Sequence, residues 1–382
     1  MERYQDFLAR RIILGWMGTA LPSGFSDSKS GCINKLGLNG NISAGIAHIL
    51  GITIQRSEGP VLCSGASAHR WGIILAGGDG KRLLPLTRKI SGDDRPKQFC
   101  ALTGSETLLM QTQRRVERVV PLSQTLLFLT RTHESFYIEQ LVGIPPARLL
   151  IQPSNRGTAP AIVYSLARLK EMDADGIVAF FPSDHHFGNA EDFAAHIDLA
   201  FVQAEGDRGR VILLGIEPDG PEESYGWIEP GEALEGAAAG SVFKVSRFWE
   251  KPSRSTASRL MLRGGLWNSF VMIGRVSAFL NMVRRALPSL LMAFESMQRT
   301  NVPGGEAQAL RCLYSSIPAT NFSDDVLATS AAALSVLKAR ALAWSDLGEP
   351  QRVFSALGVK EVAEDTIRFD GGCLRPQLEV PV

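Results

Sequence analysis

The chain has 382 residues, 45% of them hydrophobic, and a formal net charge of +1. This length suffices for a large α/β core. A charge near zero gives no general attraction to nucleic acid or to an anionic membrane, so we expect neither as a partner. No apolar run reaches the roughly 18 to 20 residues that span a bilayer. The five scattered cysteines lack metal-ligand spacing, and their odd number is typical of reduced thiols, which predicts a cytoplasmic protein.

The composition divides the chain into three parts. The stretch 22–41 is rich in Gly, Ser, Asn and Lys without a sustained period, so we expect residues 1–68 to form a poorly ordered N-terminal extension. Residues 69–358 read as the functional domain and 359–382 as a tail. Within the domain, 276–316 reads as a largely helical insert whose apolar face serves either core packing or a subunit contact in a homo-oligomer.

From Trp71 onward, short apolar runs alternate with helical stretches. The runs with the length and bulk of strands buried on both faces are 71–75, 125–129, 177–181 and 211–215. Helical patterns between them cover 107–119 and 159–172. This alternation predicts an α/β fold of Rossmann-like type, with a mostly parallel mixed sheet and helices on both faces. Because ligands in such folds bind beyond the carboxyl ends of the strands, the residues after each run are candidate site residues.

The first apolar run ends in a glycine-rich loop followed by two cations, Gly77-Gly78-Asp79-Gly80-Lys81-Arg82. Backbone amides without side chains can approach an anion closely, so the loop predicts bound phosphate and therefore a nucleotide. It is not a Walker A loop, because no Ser or Thr follows Lys81. It is not a dinucleotide fingerprint either, because Leu83 takes the place of the third glycine. An ordinary glycine turn is the alternative for the glycines alone.

Two later segments place polar groups before a helix or turn. Lys97 follows Pro96 in a basic segment that is either a second phosphate contact or a solvated turn. Asn155 and Arg156 precede the helical stretch that begins near Thr158, for which we expect the N-cap position. Capping explains Thr158 without a ligand. It does not explain Asn155 and Arg156, which would face a base or a phosphate at the positive helix terminus.

Asp184 follows the buried run 177–181, with His185 and His186 directly after it. A carboxylate at the carboxyl end of a strand, in a chain that binds phosphate, indicates a magnesium ligand. Adjacent histidines point in different directions, and no third ligand follows at the spacing of a zinc site, so zinc is disfavoured.

Three further segments suit a sugar phosphate. Gly226 lies between aromatic residues, where its bare amide can approach a ligand hydroxyl. Glu250 and Lys251 supply an acceptor and a cation, and the Asn268 amide can both donate and accept. Taken singly, each segment is explained as well by a strand end or a turn.

Together and in this order, the segments resemble the sugar-1-phosphate nucleotidyltransferases, most closely the mannose-1-phosphate guanylyltransferases. The series covers about 71–357 and comprises GGDGKRLLPLTR, RPKQF, QPSNRGTAPAI, FPSDHHF, SYGWIEPG, FWEKP, LWNS and WSDLG. The resemblance implies the nucleotide-diphospho-sugar transferase type of fold and Mg²⁺ as cofactor. It also implies GTP and mannose 1-phosphate as substrates, with release of pyrophosphate and formation of GDP-mannose.

The resemblance further implies a role for each candidate residue. Nucleotide binding falls to the glycine loop and the turn before the helix, namely Leu75, Ala76, Gly77, Gly78, Gly80, Lys81, Arg82, Asn155, Arg156 and Thr158. Sugar-phosphate binding falls to Gly226, Glu250, Lys251 and Asn268. Asp184 and Asp346 would share the metal ion. Catalysis, by stabilising charge on the phosphates, would fall to Arg82, Lys97, Asp184 and Lys251.

Some positions depart from the family pattern. Gly157 stands where the family usually has Asn, Phe270 where it has Gly, and Ser323 and Ala328 where it has acids. The base and the sugar therefore stay open, and a nucleotidyltransferase for another base and sugar is one alternative. A weakly active or inactive sensor of a nucleotide sugar is another. The presence of both candidate metal carboxylates favours the enzyme. Glycosyl transfer is disfavoured because Ser183-Asp184-His185 is not the Asp-x-Asp metal motif that such enzymes often use.

Overall fold

The computed structural model describes residues 69–234, 241–299, 305–340, 342–358, 368–370 and 373–375. The predicted extension 1–68 lies outside the described residues, as does most of the predicted tail. The strands are β1 Arg70–Leu75, β2 Thr125–Thr130, β3 Leu149–Gln152, β4 Ile177–Pro182, β5 His186–Phe187, β6 Val211–Ile216, β7 Gly226–Ala233, β8 Val242–Glu250, β9 Leu266–Arg275, β10 Leu334–Ala339, β11 Trp344–Ser345, β12 Arg368–Asp370 and β13 Cys373–Arg375. The α-helices are α1 Leu84–Ser91, α2 Leu108–Glu117, α3 Glu134–Tyr137, α4 Thr158–Met172, α5 Ala190–Gly206, α6 Arg254–Leu262, α7 Val276–Ala286, α8 Pro288–Arg299, α9 Gly305–Ser316 and α10 Pro350–Ala356.

A single large sheet joins the strands in the order β3-β2-β1-β4-β9-β6-β10-β8-β7. The strands β1 to β4 are mutually parallel, and β10 is parallel to β6. Among the strands of this sheet, only β8 and β9 run in the opposite direction. The mostly parallel mixed sheet predicted from the alternating pattern is therefore confirmed, and the antiparallel strands follow from the β7–β8 hairpin and the return of β9.

Helices cover both faces of the sheet. Phe180 of β4 contacts Phe279 of α7, with ring centroids 5.2 Å apart. The next residue, Phe181, contacts Phe193 of α5 at 6.1 Å. Successive strand residues point to opposite faces, so α5 and α7 lie on opposite sides of β4. Strands β2, β4 and β6 are buried at every position, as strands covered on both faces should be.

Helix α4 begins one residue before the predicted start, which corrects the expected capping role of Thr158. Thr158 is the first helical residue, and Gly157, with φ 86°, precedes it as the cap. The Thr158 hydroxyl instead accepts a hydrogen bond from the amide of Phe322 (2.8 Å) and donates to Asn321 Oδ1 (3.2 Å). It therefore ties the helix to a distant segment rather than to its own first turn.

The segment 276–316 contains α7, α8 and α9. Phe279 and Val283, the residues at helical spacing in α7, are fully buried in the main core cluster. The core of the domain itself therefore accounts for the apolar face of α7. Among the residues that the structure describes, each helix is too short or too polar to span a bilayer.

Candidate active site

A cavity of about 400 Å³ lies beyond the carboxyl ends of β1 and β4. It brings together predicted residues from distant parts of the chain, namely Leu75, Gly77, Gly78, Arg82, Asn155, Thr158, Asp184, Gly226, Glu250, Lys251, Asn268 and Asp346. The other predicted residues, Ala76, Gly80, Lys81, Lys97 and Arg156, are not among its lining residues. The carboxyl ends of parallel strands thus form the floor of the cavity, as expected for this fold class.

The glycine loop after β1 is held by side chains from three other segments. Thr130 donates to the Gly77 carbonyl (2.9 Å) and accepts from the Gln152 amide (2.8 Å). Gln98 donates to the Gly78 carbonyl (2.7 Å). A Cβ on Gly77 would lie 2.9 Å from the Gln152 amide nitrogen, so any larger residue there would have to displace that buried side chain. The sequence interpretation missed these supporting residues, although Gln98 belongs to the RPKQF segment.

Lys97 is buried between two acidic loops rather than solvated in a basic turn. Its Nζ lies 3.4 Å from Asp184 Oδ2 and donates to the backbone carbonyls of Asp346 and Leu347, the latter at 3.2 Å. Only 7% of the residue is exposed. The single ammonium therefore joins the loop after β4 to the loop after β11.

A two-residue ladder brings these two loops together. Beyond the end of β4, β5 pairs with β11 in antiparallel register, with Phe187 opposite Trp344 and His186 opposite Ser345. Asp184 precedes one strand of this ladder and Asp346 follows the other. The two predicted metal carboxylates consequently line the same cavity although they are distant in the sequence.

The Asp346 carboxylate uses its two oxygens differently. Oδ1 accepts hydrogen bonds from Tyr225 Oη (3.1 Å), the Gly348 amide (2.8 Å) and Arg352 Nη1 (2.7 Å). Oδ2 lies 3.8 Å from Arg82 Nη2. The three donors to Oδ1 therefore hold the carboxylate in place and leave Oδ2 available for a ligand.

The charges around Asp346 keep it ionised. Burial alone would raise the pKa of Asp346, but His185, Lys97 and Arg352 hold that pKa below its ordinary value. Burial lowers the pKa of His185, whose Nδ1 is 3.3 Å from the donating Trp344 indole nitrogen and whose Nε2 is 3.8 Å from Asp184 Oδ1. Burial therefore dominates the pKa of His185, whereas the neighbouring charges dominate the pKa of Asp346.

The predicted sugar-phosphate residues meet at the ends of β7, β8 and β9. Gly226 is opposite Glu250 in the sheet, and a Cβ on Gly226 would lie 2.9 Å from Glu250 Oε2. Lys251 Nζ is 3.5 Å from Glu250 Oε1, and burial raises the pKa of Glu250. Asn268 Oδ1 accepts from the amide of Phe270, which lines the cavity with φ 60°. The group offers an acidic acceptor, a cation and an amide around one space.

The turn before α4 is fastened to the last turn of α9 and to the segment that follows it. Asn155 Oδ1 accepts from the Gly157 amide (2.9 Å), and Asn155 lines the cavity. The Arg156 guanidinium donates to the Tyr314 carbonyl (3.0 Å), so it supports this turn instead of facing the cavity. A Cβ on Gly157 would overlap the Thr320 carbonyl. The Asn that the family pattern usually has at this position would therefore not fit the present backbone.

The described residues contain no group of three or more His, Cys, Asp and Glu that suits a metal ion. Two of the carboxylates that line the cavity, Asp184 and Asp346, are nonetheless joined through Lys97, and Asp346 has one oxygen left by its other hydrogen bonds. Mg²⁺ typically uses one or two protein carboxylates and takes its other ligands from substrate phosphates and water. The donor set therefore fits a magnesium ion that binds together with substrate.

The nucleotidyl transferase family model matches residues 71–359, the span that holds the sheet and the whole cavity. The chain belongs to the nucleotidyl transferase family. Mannose-1-phosphate guanylyltransferase ManC of Salmonella typhimurium is 32% identical over 232 residues, 59% of this chain and 47% of ManC. Alginate biosynthesis protein AlgA of Pseudomonas syringae pv. tomato is 33% identical over 221 residues, 57% of this chain and 44% of AlgA. The chain spans about half the length of these curated relatives.

A solved structure extends the similarity to the fold. The crystal structure of mannose-1-phosphate geranyltransferase from Thermus thermophilus is 31% identical, with a TM-score of 0.64, and covers 75% of this chain and 79% of that chain. The nucleotide-diphospho-sugar transferase fold expected from the motif series is thereby confirmed.

Proposed function

We propose that the protein transfers a nucleotidyl group from a nucleoside triphosphate to a hexose 1-phosphate and releases pyrophosphate. The observation that carries the proposal is the shared cavity. It places the glycine loop, the two carboxylates of Asp184 and Asp346 and the cluster around Glu250 within one space. Two phosphorylated substrates that react with each other need such an arrangement of separate binding groups around one reaction centre.

The reaction requires no nucleophilic side chain. A sugar phosphate has a second pKa near 6, so its terminal oxygens carry the charge needed for attack at neutral pH. One of these oxygens forms a bond to the α-phosphorus while the bond from that phosphorus to the bridging oxygen of the β-phosphate breaks. Pyrophosphate takes the electron pair and leaves. The task of the protein is to bring two anions together and to stabilise charge.

We assign this task to three cations. Lys97 is fixed between the two acidic loops, 3.4 Å from Asp184, and would keep them in register near the phosphates. Arg82 and Lys251 line the cavity from opposite sides, after β1 and after β8, and their side chains are 60% and 57% exposed. Because more than half of each side chain is exposed, Arg82 can move onto the triphosphate and Lys251 onto the sugar phosphate.

Asp184 and Asp346 would hold Mg²⁺. The ion, when bound, would neutralise charge on the phosphates of both substrates. Asp346 is kept ionised by its cationic neighbours, and Oδ1 is fixed by three donors. Asp184 is 32% exposed at its side chain and pairs with Lys97. The two carboxylates therefore combine a fixed group with a more accessible one.

We propose GTP and mannose 1-phosphate as the substrate pair, with GDP-mannose as the product and the cytoplasm as the location. The name of the Salmonella relative, mannose-1-phosphate guanylyltransferase, supports this pair. Gly157, Phe270 and Ser323 differ from the family pattern and line the cavity, so we propose that these positions influence the choice of base and sugar.

A pyrophosphate-release assay tests the proposal. It crosses the four common nucleoside triphosphates with mannose, glucose and N-acetylglucosamine 1-phosphates in the presence of Mg²⁺. We expect release to be greatest with GTP and mannose 1-phosphate, and Asp184→Asn to lower it by about a hundredfold or more because one electrostatic group at the reaction centre is lost. Release with a different pair would reassign the substrates. Binding of a nucleotide sugar without release from any pair would refute the enzyme and favour the sensor.

A further inference from the structure

Arg352 of α10 makes a set of contacts that links two halves of the cavity. Its Nη1 donates to Asp346 Oδ1 at 2.7 Å. Its Nη2 donates to Ser224 Oγ at 2.9 Å and lies 2.8 Å from Glu222 Oε2. Its guanidinium carbon lies 4.4 Å from the centre of the Tyr225 ring. The side chain is 16% exposed, so these contacts are largely shielded from water.

The partners of Arg352 come from opposite sides of the site. Asp346 belongs to the proposed metal pair, whereas the turn 222–225 leads directly into Gly226, which faces the proposed sugar phosphate. Tyr225 itself joins the two sides, because its hydroxyl donates to Asp346 Oδ1 (3.1 Å). One planar guanidinium therefore holds both the carboxylate and the turn through several hydrogen bonds at once.

Helix α10, which carries Arg352, is itself anchored. The neighbouring residues Val353 and Phe354 are buried in a core cluster with Leu83, directly before α1, and Leu86, within α1. Helix α10 therefore packs against the element that directly follows the glycine loop. The guanidinium is thus presented from a fixed helix and not from a mobile surface segment.

We propose that Arg352 is a positioning residue for the active site. It fixes Asp346 through Oδ1, so that Oδ2 stays turned toward the cavity, and it sets the turn 222–225 at a fixed distance from that carboxylate. The proposal rests on the proposed nucleotidyl transfer, because the two parts it aligns are the metal side and the sugar-phosphate side of that reaction. The sequence motifs gave no indication of this role, since Arg352 lies after the last of them.

The main alternative is that Arg352 contributes only an ion pair to stability. Arg70 provides a matched control for it, because its side chain is 12% exposed, pairs with Asp198 (3.1 Å) and Glu205 (2.8 Å), and lies 5.0 Å from the Phe201 ring centre. Arg70 begins β1 at the amino end, away from the cavity. Arg352 and Arg70 thus share burial, two polar attachments and an aromatic contact, and differ in what they hold.

The experiment compares Arg352→Met, Arg352→Lys and Arg352→Ala with Arg70→Met in the full chain. For Arg352→Met we expect kcat/KM to fall by about 10- to 100-fold, the usual cost of losing a residue that orients a metal ligand. We expect kcat to fall and the KM for the sugar phosphate to rise, because both halves are released. Arg352→Lys should retain part of the activity, since it keeps the charge without the planar fork. Added guanidinium should restore part of the activity of Arg352→Ala.

The controls separate the possible outcomes. Arg70→Met should lower the denaturant midpoint while leaving kcat and KM within about twofold of the wild type. The positioning role would be overturned if the Arg70 and Arg352 variants lost equal amounts of activity. It would also be overturned if guanidinium restored no activity and KM stayed unchanged. If the wild type releases no pyrophosphate with any substrate pair, the proposed function fails instead. The positioning role is then tested by measuring the affinity for GDP-mannose without metal. If Arg352 positions the site, Arg352→Met binds GDP-mannose more weakly than the wild type and Arg70→Met binds it equally well.

Discussion

Phe270 is held in a backbone conformation that non-glycine residues rarely adopt, and this gives a prediction with a defined sign. Its φ is 60°, within β9, at a point where the register between β6 and β9 shifts. The left-handed region costs a non-glycine residue about 1 to 2 kcal/mol. Phe270→Ala removes the ring but keeps this cost, whereas Phe270→Gly removes both. We therefore expect the glycine variant to be more stable than the alanine variant by about 1 kcal/mol.

Urea unfolding measures the difference between the two variants. Met272 provides the control, because it is fully buried in the same strand and is not among the residues with positive φ. There the ordinary order should hold, with Met272→Gly less stable than Met272→Ala by about 0.5 to 1 kcal/mol. An alanine variant at position 270 that is as stable as the glycine variant, or more stable, would refute the strain at Phe270.

Three further predictions follow from the cavity and its surroundings. Lys97→Met should lower kcat/KM by about a hundredfold or more, because the cation between Asp184 and Asp346 is lost, and steady-state kinetics that stay near wild type would contradict this. Gly157→Ala should lower the free energy of unfolding in urea by more than about 1 kcal/mol, because φ is 86° and the new Cβ would overlap the Thr320 carbonyl. An unchanged urea midpoint would contradict this, since it would mean that the backbone around Thr320 moves away at no cost. Burial lowers the pKa of His133, His185 and His186, so the folded state binds fewer protons than the unfolded state below the ordinary value of 6.5. Stability should therefore fall as the pH is lowered from about 6.5 through the folded-state pKa values, and equal urea midpoints at pH 8 and pH 5.5 would contradict this.

The central strands could be predicted from the sequence because their pattern is local. Apolar runs bounded by polar residues placed β1, β2, β4 and β6 within a residue of their observed ends. The glycine loop and Asp184 could be noticed for the same reason, since each lies within three residues of the end of such a run. In these cases, a strand that is buried on both faces appears in the sequence as a continuous run of apolar residues.

Other parts of the site depend on contacts between distant residues. The ladder of β5 and β11 is only two residues long in each strand, so it leaves no recognisable period, yet it brings Asp184 and Asp346 to one cavity. Lys97 in sequence reads equally well as a solvated turn, and only its partners explain its burial. Thr158 is a typical N-cap residue, but its hydroxyl instead accepts a hydrogen bond from the amide of Phe322.

The most direct test of the proposed chemistry follows the fate of each phosphate. GTP labelled with ³²P at the α- or the γ-position is incubated with the protein, mannose 1-phosphate and Mg²⁺, and the products are separated. We expect the α-label to appear in GDP-mannose and the γ-label in pyrophosphate, and Asp184→Asn to lower both by a similar factor. Label that stays in GTP, or γ-label that appears as inorganic phosphate without a nucleotide sugar, would contradict attack of the sugar phosphate on the α-phosphorus.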